Sequence, residues 1–155
     1  MSVKPSEANV QESRAEPYIA AFRGRFSSLL RWDDLAVFWD TLRSQADDSW
    51  YIYHVGDTVP EITSTRDQLL KFISEIDALL RAEHDEEYCA IVYADNHQQP
   101  AFIKIFDPHN LGVSCGSSEN PPLPGWVMSK IPPVNIENAL RPNNSRRRWW
   151  QKIFE

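Results

Sequence analysis

The sequence predicts an α+β fold: a small antiparallel sheet of three to four strands packed by two to three helices, with a long ordered loop rich in proline and glycine. Three observations carry that expectation. Leu35–Leu42 and Leu69–Leu80 repeat apolar residues at helical spacing. Tyr88–Asp95 and Ala101–Asp107 read as the two strands of a hairpin, dense in β-branched and aromatic residues. Between residues 107 and 126 stand Pro108, Gly112, Gly116, Pro121, Pro122, Pro124 and Gly125, too many breakers for regular structure. An unstructured stretch of that length inside a compact domain points to function or to disorder. Val113, Leu123, Trp126 and Val127 give it apolar anchors, so an ordered surface loop is expected.

Taken in order, residues 1–16 are polar and unpatterned and read as a disordered N-terminal arm. Ile19, Phe22, Phe26, Leu29 and Leu30 fall near a helical period, weakened by Gly24 in its middle. Leu35, Phe38, Trp39 and Leu42 then make one stripe. Asp33 is placed to cap that helix, with Trp32 and Val37 as a hydrophobic staple. Trp50–Val55 is a strand with two apolar faces: Trp50, Ile52 and His54 on one, Tyr51, Tyr53 and Val55 on the other. That reads as a central strand extending the hairpin.

Ser64 to about Arg81 is the strongest helix, with Ser64 and Asp67 as a capping box and Asp67–Lys71 and Asp77–Arg81 as i,i+4 pairs. A parallel crossover from Trp50–Val55 through this helix is the alternative topology. In Ala101–Asp107, Phe102, Lys104 and Phe106 share a face, and the Lys104 ammonium is expected in water at a rim. Trp126–Lys130 reads as a short edge strand stopped by Pro132 and Pro133, and Asn135–Leu140 as one helical turn. The domain is therefore expected over residues 17–140, followed by a basic-aromatic tail at 141–155, with helices on one face of the sheet.

Two cysteines, Cys89 and Cys115, cannot form a secreted disulfide framework, and the N-terminal residues hold no apolar signal core. The longest apolar run, Tyr88–Ala94, is too short to span a membrane. A cytoplasmic protein is expected. Charge is split unevenly. Residues 141–155 hold five basic side chains against Glu155, net +4, while the other 140 hold eleven basic and twenty-one acidic, net −10. An acidic body would repel phosphates, which argues against a nucleic-acid partner.

Four groups of residues are candidates for function. In the tail, Arg146, Arg147 and Arg148 precede Trp149 and Trp150, the residue types richest in binding hot spots. Arginines at a helix start oppose the dipole, so the segment gains order by docking, either on this chain's own domain or on a partner. In the loop, Pro121, Pro122 and Trp126 form a proline-aromatic surface with PxxP spacing between Pro121 and Pro124. Cys115, with His109 as base and Asp107 to orient it, is a candidate catalytic set, opposed by the absence of any nucleophile-elbow spacing. His84, Cys89, His109 and Cys115 have zinc-type donors at the wrong spacing, so no metal is expected. Gly112–Gly116 lacks the lysine and helix of a phosphate loop, so no cofactor is expected either.

The expectation is a non-enzymatic accessory or adaptor protein that binds a larger protein, one with an acidic surface, through the 107–126 loop and the RRRWW tail. A small cysteine-dependent enzyme centred on Cys115 and His109 is the alternative. A peripheral protein using the tail on a membrane surface is the third reading.

Overall fold

A computed structural model of the chain describes residues 7–111, 122–140 and 153. Among these the elements run α1 (Glu7–Phe22), β1 (Ser27–Ser28), α2 (Trp32–Ser44), β2 (Tyr51–His54), α3 (Arg66–Glu83), β3 (Val92–Ala94), β4 (Phe102–Ile105), β5 (Trp126–Ser129) and α4 (Ile136–Ala139). The fold is α+β, with one five-stranded sheet in the order β1-β3-β4-β5-β2. Every neighbouring pair is antiparallel, so no parallel crossover connects β2 to β3.

Alternation across the ladder sends side chains to two separate cores. Leu35, Phe38, Trp39 and Leu42 of α2 and Leu69, Ile73, Ile76 and Leu80 of α3 pack with Ile103, Ile105 and Met128 on one face. Tyr18 of α1 and Ile136 of α4 pack with Tyr53, Phe102 and Val127 on the other. Helices therefore cover both faces rather than one. That explains why β2 and β4 are apolar at successive positions.

Several expectations change in detail. Residues 7–16, read as part of an arm, belong to α1, because Ala15, Tyr18, Ile19 and Phe22 fall at i, i+3, i+4 and i+7 and bring the helix onto the sheet. The helix stops at Phe22 instead of running on to Leu30. A Cβ on Gly24 would stand 3.1 Å from the Ala21 carbonyl oxygen, so the chain turns there at a residue without one. In α2 the helix starts at Trp32, and Asp34, not Asp33, accepts the Arg31 backbone N–H at 3.2 Å. No staple forms: Val37 faces solvent, and the Trp32 indole donates to the Glu86 carbonyl at 3.0 Å.

The capping box of α3 sits one residue later than expected, with Thr65 Oγ1 accepting from Gln68 N and Gln68 Oε1 from Thr65 N. Ser64 is occupied otherwise, its N–H closing onto the Trp50 carbonyl at the outer side of β2. Of the two helix-face pairs only Asp77–Arg81 closes. β2 is an edge strand in the ladder, and β5 is internal, between β4 and β2. Pro132 and Pro133 lie beyond β5, so they end it without denying it a second neighbour.

If the α3 stripe packs as described, Leu69→Ala and Ile76→Ala should each lower stability by about 2–5 kcal/mol in urea unfolding. Losses below about 1 kcal/mol at both positions would mean that the buried face lies elsewhere.

Candidate binding surface at the loop end of the sheet

The ends of β2 and β4 and the start of β5 meet at one edge of the molecule. The stem of the 107–126 loop is closed there by backbone alone: Gly125 N–H donates to the Ile105 carbonyl at 2.8 Å, and Val55 N–H to the Gly125 carbonyl at 2.9 Å. A Cβ at Gly125 would stand 3.0 Å from Asp107 Cβ, so the two limbs of the stem touch at a residue without a side chain. Pro124 is buried, Leu123 packs into the α1/α4 core and Pro122 is exposed.

Trp126, the first residue of β5, faces the α2/α3 side in register with His54 and Ile105. Its indole is half-buried and stacked on the His54 imidazole, with centroids 5.5 Å apart and planes 21° from parallel. Asp57 Oδ2 meets His54 Nδ1 at 2.7 Å across the turn at Gly56, which fixes the imidazole against the indole. Gly56 has φ +102°, a conformation that favours glycine. A proline and a stacked tryptophan are thus held at the foot of the loop by short backbone and side-chain contacts.

The proposed catalytic residues are committed to other contacts. Asp107 Oδ1 accepts from the His109 backbone N–H at 3.0 Å, capping the 3₁₀ turn Pro108–Asn110. The His109 ring meets Glu83 at the end of α3, with Nε2 3.1 Å from Oε2. Asp107 is therefore bound to the backbone of His109 and not to its ring. Cys115 and Pro121 lie outside the described residues, as do Arg146, Arg147, Arg148, Trp149 and Trp150. Cys89 is buried in the α2/α3 core, where burial pushes its thiol up, and its carbonyl is bonded by His84 Nε2 at 2.9 Å. No group of three metal-ligating side chains occurs among the described residues. Nor is any described helix long and apolar enough to cross a membrane.

Sequence reasoning missed three features. The His54–Asp57 pair was signalled by the spacing H-V-G-D across a turn glycine. His97, between β3 and β4, binds the β1 edge, its Nε2 3.1 Å from the Ser27 carbonyl and its ring against Phe38. Lys104 lies on the expected face, but its ammonium, expected in water at a rim, packs against two rings and the residue is partly buried. Its Nζ lies 4.0 Å from the ring centroids of both Phe22 and Phe26. The clue was a lysine inside a strand whose two faces are both apolar.

No protein-family model matches the chain, and neither a curated protein nor a solved structure matches it.

Burial lowers the Lys104 pKa from 10.5 to about 8. Between those values the unfolded chain holds a proton that the folded chain has released, so this group adds stability as pH rises through 8. Cys89, Tyr18 and Tyr53, all pushed up by burial, act in the opposite sense at higher pH, but identically in a Lys104→Met variant. Urea unfolding at pH 7 and pH 9.5 should therefore show the wild type gaining on Lys104→Met. A difference between the two proteins that does not change with pH would place the ammonium in water.

Proposed function

We propose that this chain is a non-enzymatic accessory or adaptor protein that binds a larger protein partner through the foot of the 107–126 loop, with the basic-aromatic tail as a second contact. The observation that carries the reading is the Trp126 platform. Its indole is half-buried, stacked on His54, and accompanied by an exposed proline four residues earlier. An aromatic anchor already fixed in one orientation loses little freedom on binding, so more of its buried area appears as affinity. Asp107 caps the backbone of His109 and does not orient its ring, which pairs with Glu83, so the Asp107–His109 relay of the catalytic alternative gains no support.

A second apolar surface supports the same class of function. Leu30 and Val37 are 60% and 66% exposed beside a groove of about 400 Å³ lined by Leu29, Phe38, Thr41 and His97. Exposed large apolar side chains around a groove are the ordinary mark of a protein contact. Three arginines in the tail add a cationic approach to an acidic partner, which raises the rate of encounter more than the final affinity.

The test is capture of partners by the full chain, followed by affinity measurements with Trp126→Ala and with a chain ending at Leu140. Loss of the tryptophan should weaken the complex about thirtyfold, on the order of 2 kcal/mol, while the melting transition persists. Unchanged binding in both variants would remove the loop foot and the tail from the interface. A Cys115 that reacts with thiol reagents far faster than free cysteine would favour the enzyme instead.

A further inference from the structure

β1 closes one end of the sheet, so it has a strand on one side only. Its register sets Ser27 opposite Ala94 and Ser28 opposite Tyr93, and Leu29 N–H donates to the Val92 carbonyl at 2.9 Å on the same register. In an antiparallel ladder, bonded and unbonded pairs alternate. Ser27 and Leu29 therefore turn their backbone groups to β3, and Ser28 turns its N–H and C=O outward. Among the described residues the backbone groups of Phe26 and Ser28 and the Leu30 N–H take no backbone partner. Such a row is a template for another strand, and lysine or proline commonly guards it. Residues 26–30 hold neither.

Two further features lie along this edge. Beside it runs the groove of about 400 Å³, where Val37, Phe38 and Thr41 of α2 face Leu29 and Leu30. Charge is confined to the two ends of the open stretch, at Arg25 and Arg31. Both residues are exposed, and the period of two sets them on one face of an extended chain. Arg31 reaches Asp34 only at 4.0 Å, and Arg25 has no ion pair among the described residues. The strand is also held before anything joins it, because His97 Nε2 lies 3.1 Å from the Ser27 carbonyl while its ring meets Phe38. An edge fixed in advance loses little freedom on pairing.

We propose that the edge from Phe26 to Leu30 is a strand-addition site for an extended segment of a partner protein, apolar at its centre and acidic at both ends. Main-chain bonds to Phe26, Ser28 and Leu30 would hold the segment, and every second side chain would enter the groove beside α2. The arginines select the occupant. In antiparallel pairing of two copies about Ser28, Arg25 of each would stand opposite Arg31 of the other, and like charges in that position repel. A foreign strand with a carboxylate at each end meets the same two positions with opposite charge. The proposal rests on the reading of this chain as a protein-binding module and names how a partner meets a surface other than the Trp126 platform.

The probe is a palindromic heptapeptide, Glu-Thr-Val-Thr-Val-Thr-Glu with blocked termini, added in excess to the full chain. Alternation turns its threonine N–H groups to β1 and its valine side chains to the groove, with a glutamate opposite each arginine. Hydrogen exchange at the Phe26, Ser28 and Leu30 amides should slow by about tenfold or more when it binds. N-methylation of the three threonines should abolish this protection, while N-methylation of the two valines should preserve it. Lysine in place of both glutamates should weaken binding by about tenfold or more. Ser28→Pro removes the outward N–H without touching a ladder bond and should also prevent binding. No slowing at Ser28, equal binding of the two methylated peptides, or a lysine peptide that binds as tightly overturns the proposal. Should Ser28→Pro lose its cooperative melt, the methylated peptides decide the outcome on the native chain. A dimer of the peptide-free chain that Ser28→Pro abolishes would make a second copy the occupant and overturn it equally. Failure of the heptapeptide beside an intact Trp126-dependent complex would remove strand addition and leave the loop-foot reading standing.

Discussion

The closure at Gly125 is the contact on which the sheet depends. One residue donates to β4 and accepts from the end of β2, joining strands whose sequence positions differ by about fifty residues. It extends by one residue the ladders that pair β5 with β4 and with β2, and sets where β5 enters between them. A side chain there would collide with Asp107, so the position demands glycine for space and not for an unusual φ. The same closure brings together the two ends of the intervening loop. Whatever that loop does, it does from a rigid base. Chain entropy charges little for the extra length, because the cost of closing a loop grows only with the logarithm of its length.

From this closure follows the two-sided core. With β5 in the middle, Met128 and Ile103 point to α2 and α3, while Val127 and Phe102 point to α1 and α4. A sheet buried on both sides must place apolar residues at successive positions, and it tolerates few polar ones. Lys104 is the exception in the central strand. Its setting between phenyl faces is the arrangement that a cation needs where no acid is supplied.

Much of this was legible in the sequence because periodicity reports burial directly. The α2 and α3 stripes, the hairpin, the two-faced character of Trp50–Val55 and the short helical turn within Asn135–Leu140 all follow from spacing. Strand order was not legible. Trp126–Ser129 is flanked by prolines and looks like an edge, yet the decisive fact is a pairing with residues some seventy positions earlier, which no local pattern encodes. The start of α1 was hidden for a related reason. Its N-terminal residues are polar in sequence, and the apolar repeat that marks the helix runs from Ala15 to Phe22. At the candidate site the composition gave the loop and its tryptophan. The partner of each side chain was invisible: His109 meets Glu83 from a helix about twenty-five residues earlier, and His54 rather than His109 lies against Trp126.

The Trp126 platform and the Lys104 cage hang on one register. Ile105 opposite Trp126 sends the indole to the α2/α3 side, and Lys104 opposite Val127 sends the amine to the α1/α4 side. Side chains alternate with period two, so a slip of β5 by one residue would turn Trp126 toward α1 and Val127 toward α2. Such a slip is opposed from both faces at once, because Met128 and Val127 are each fully buried in different cores. The Trp126 platform and the Lys104 cage are thus kept apart by the energy that folds the sheet.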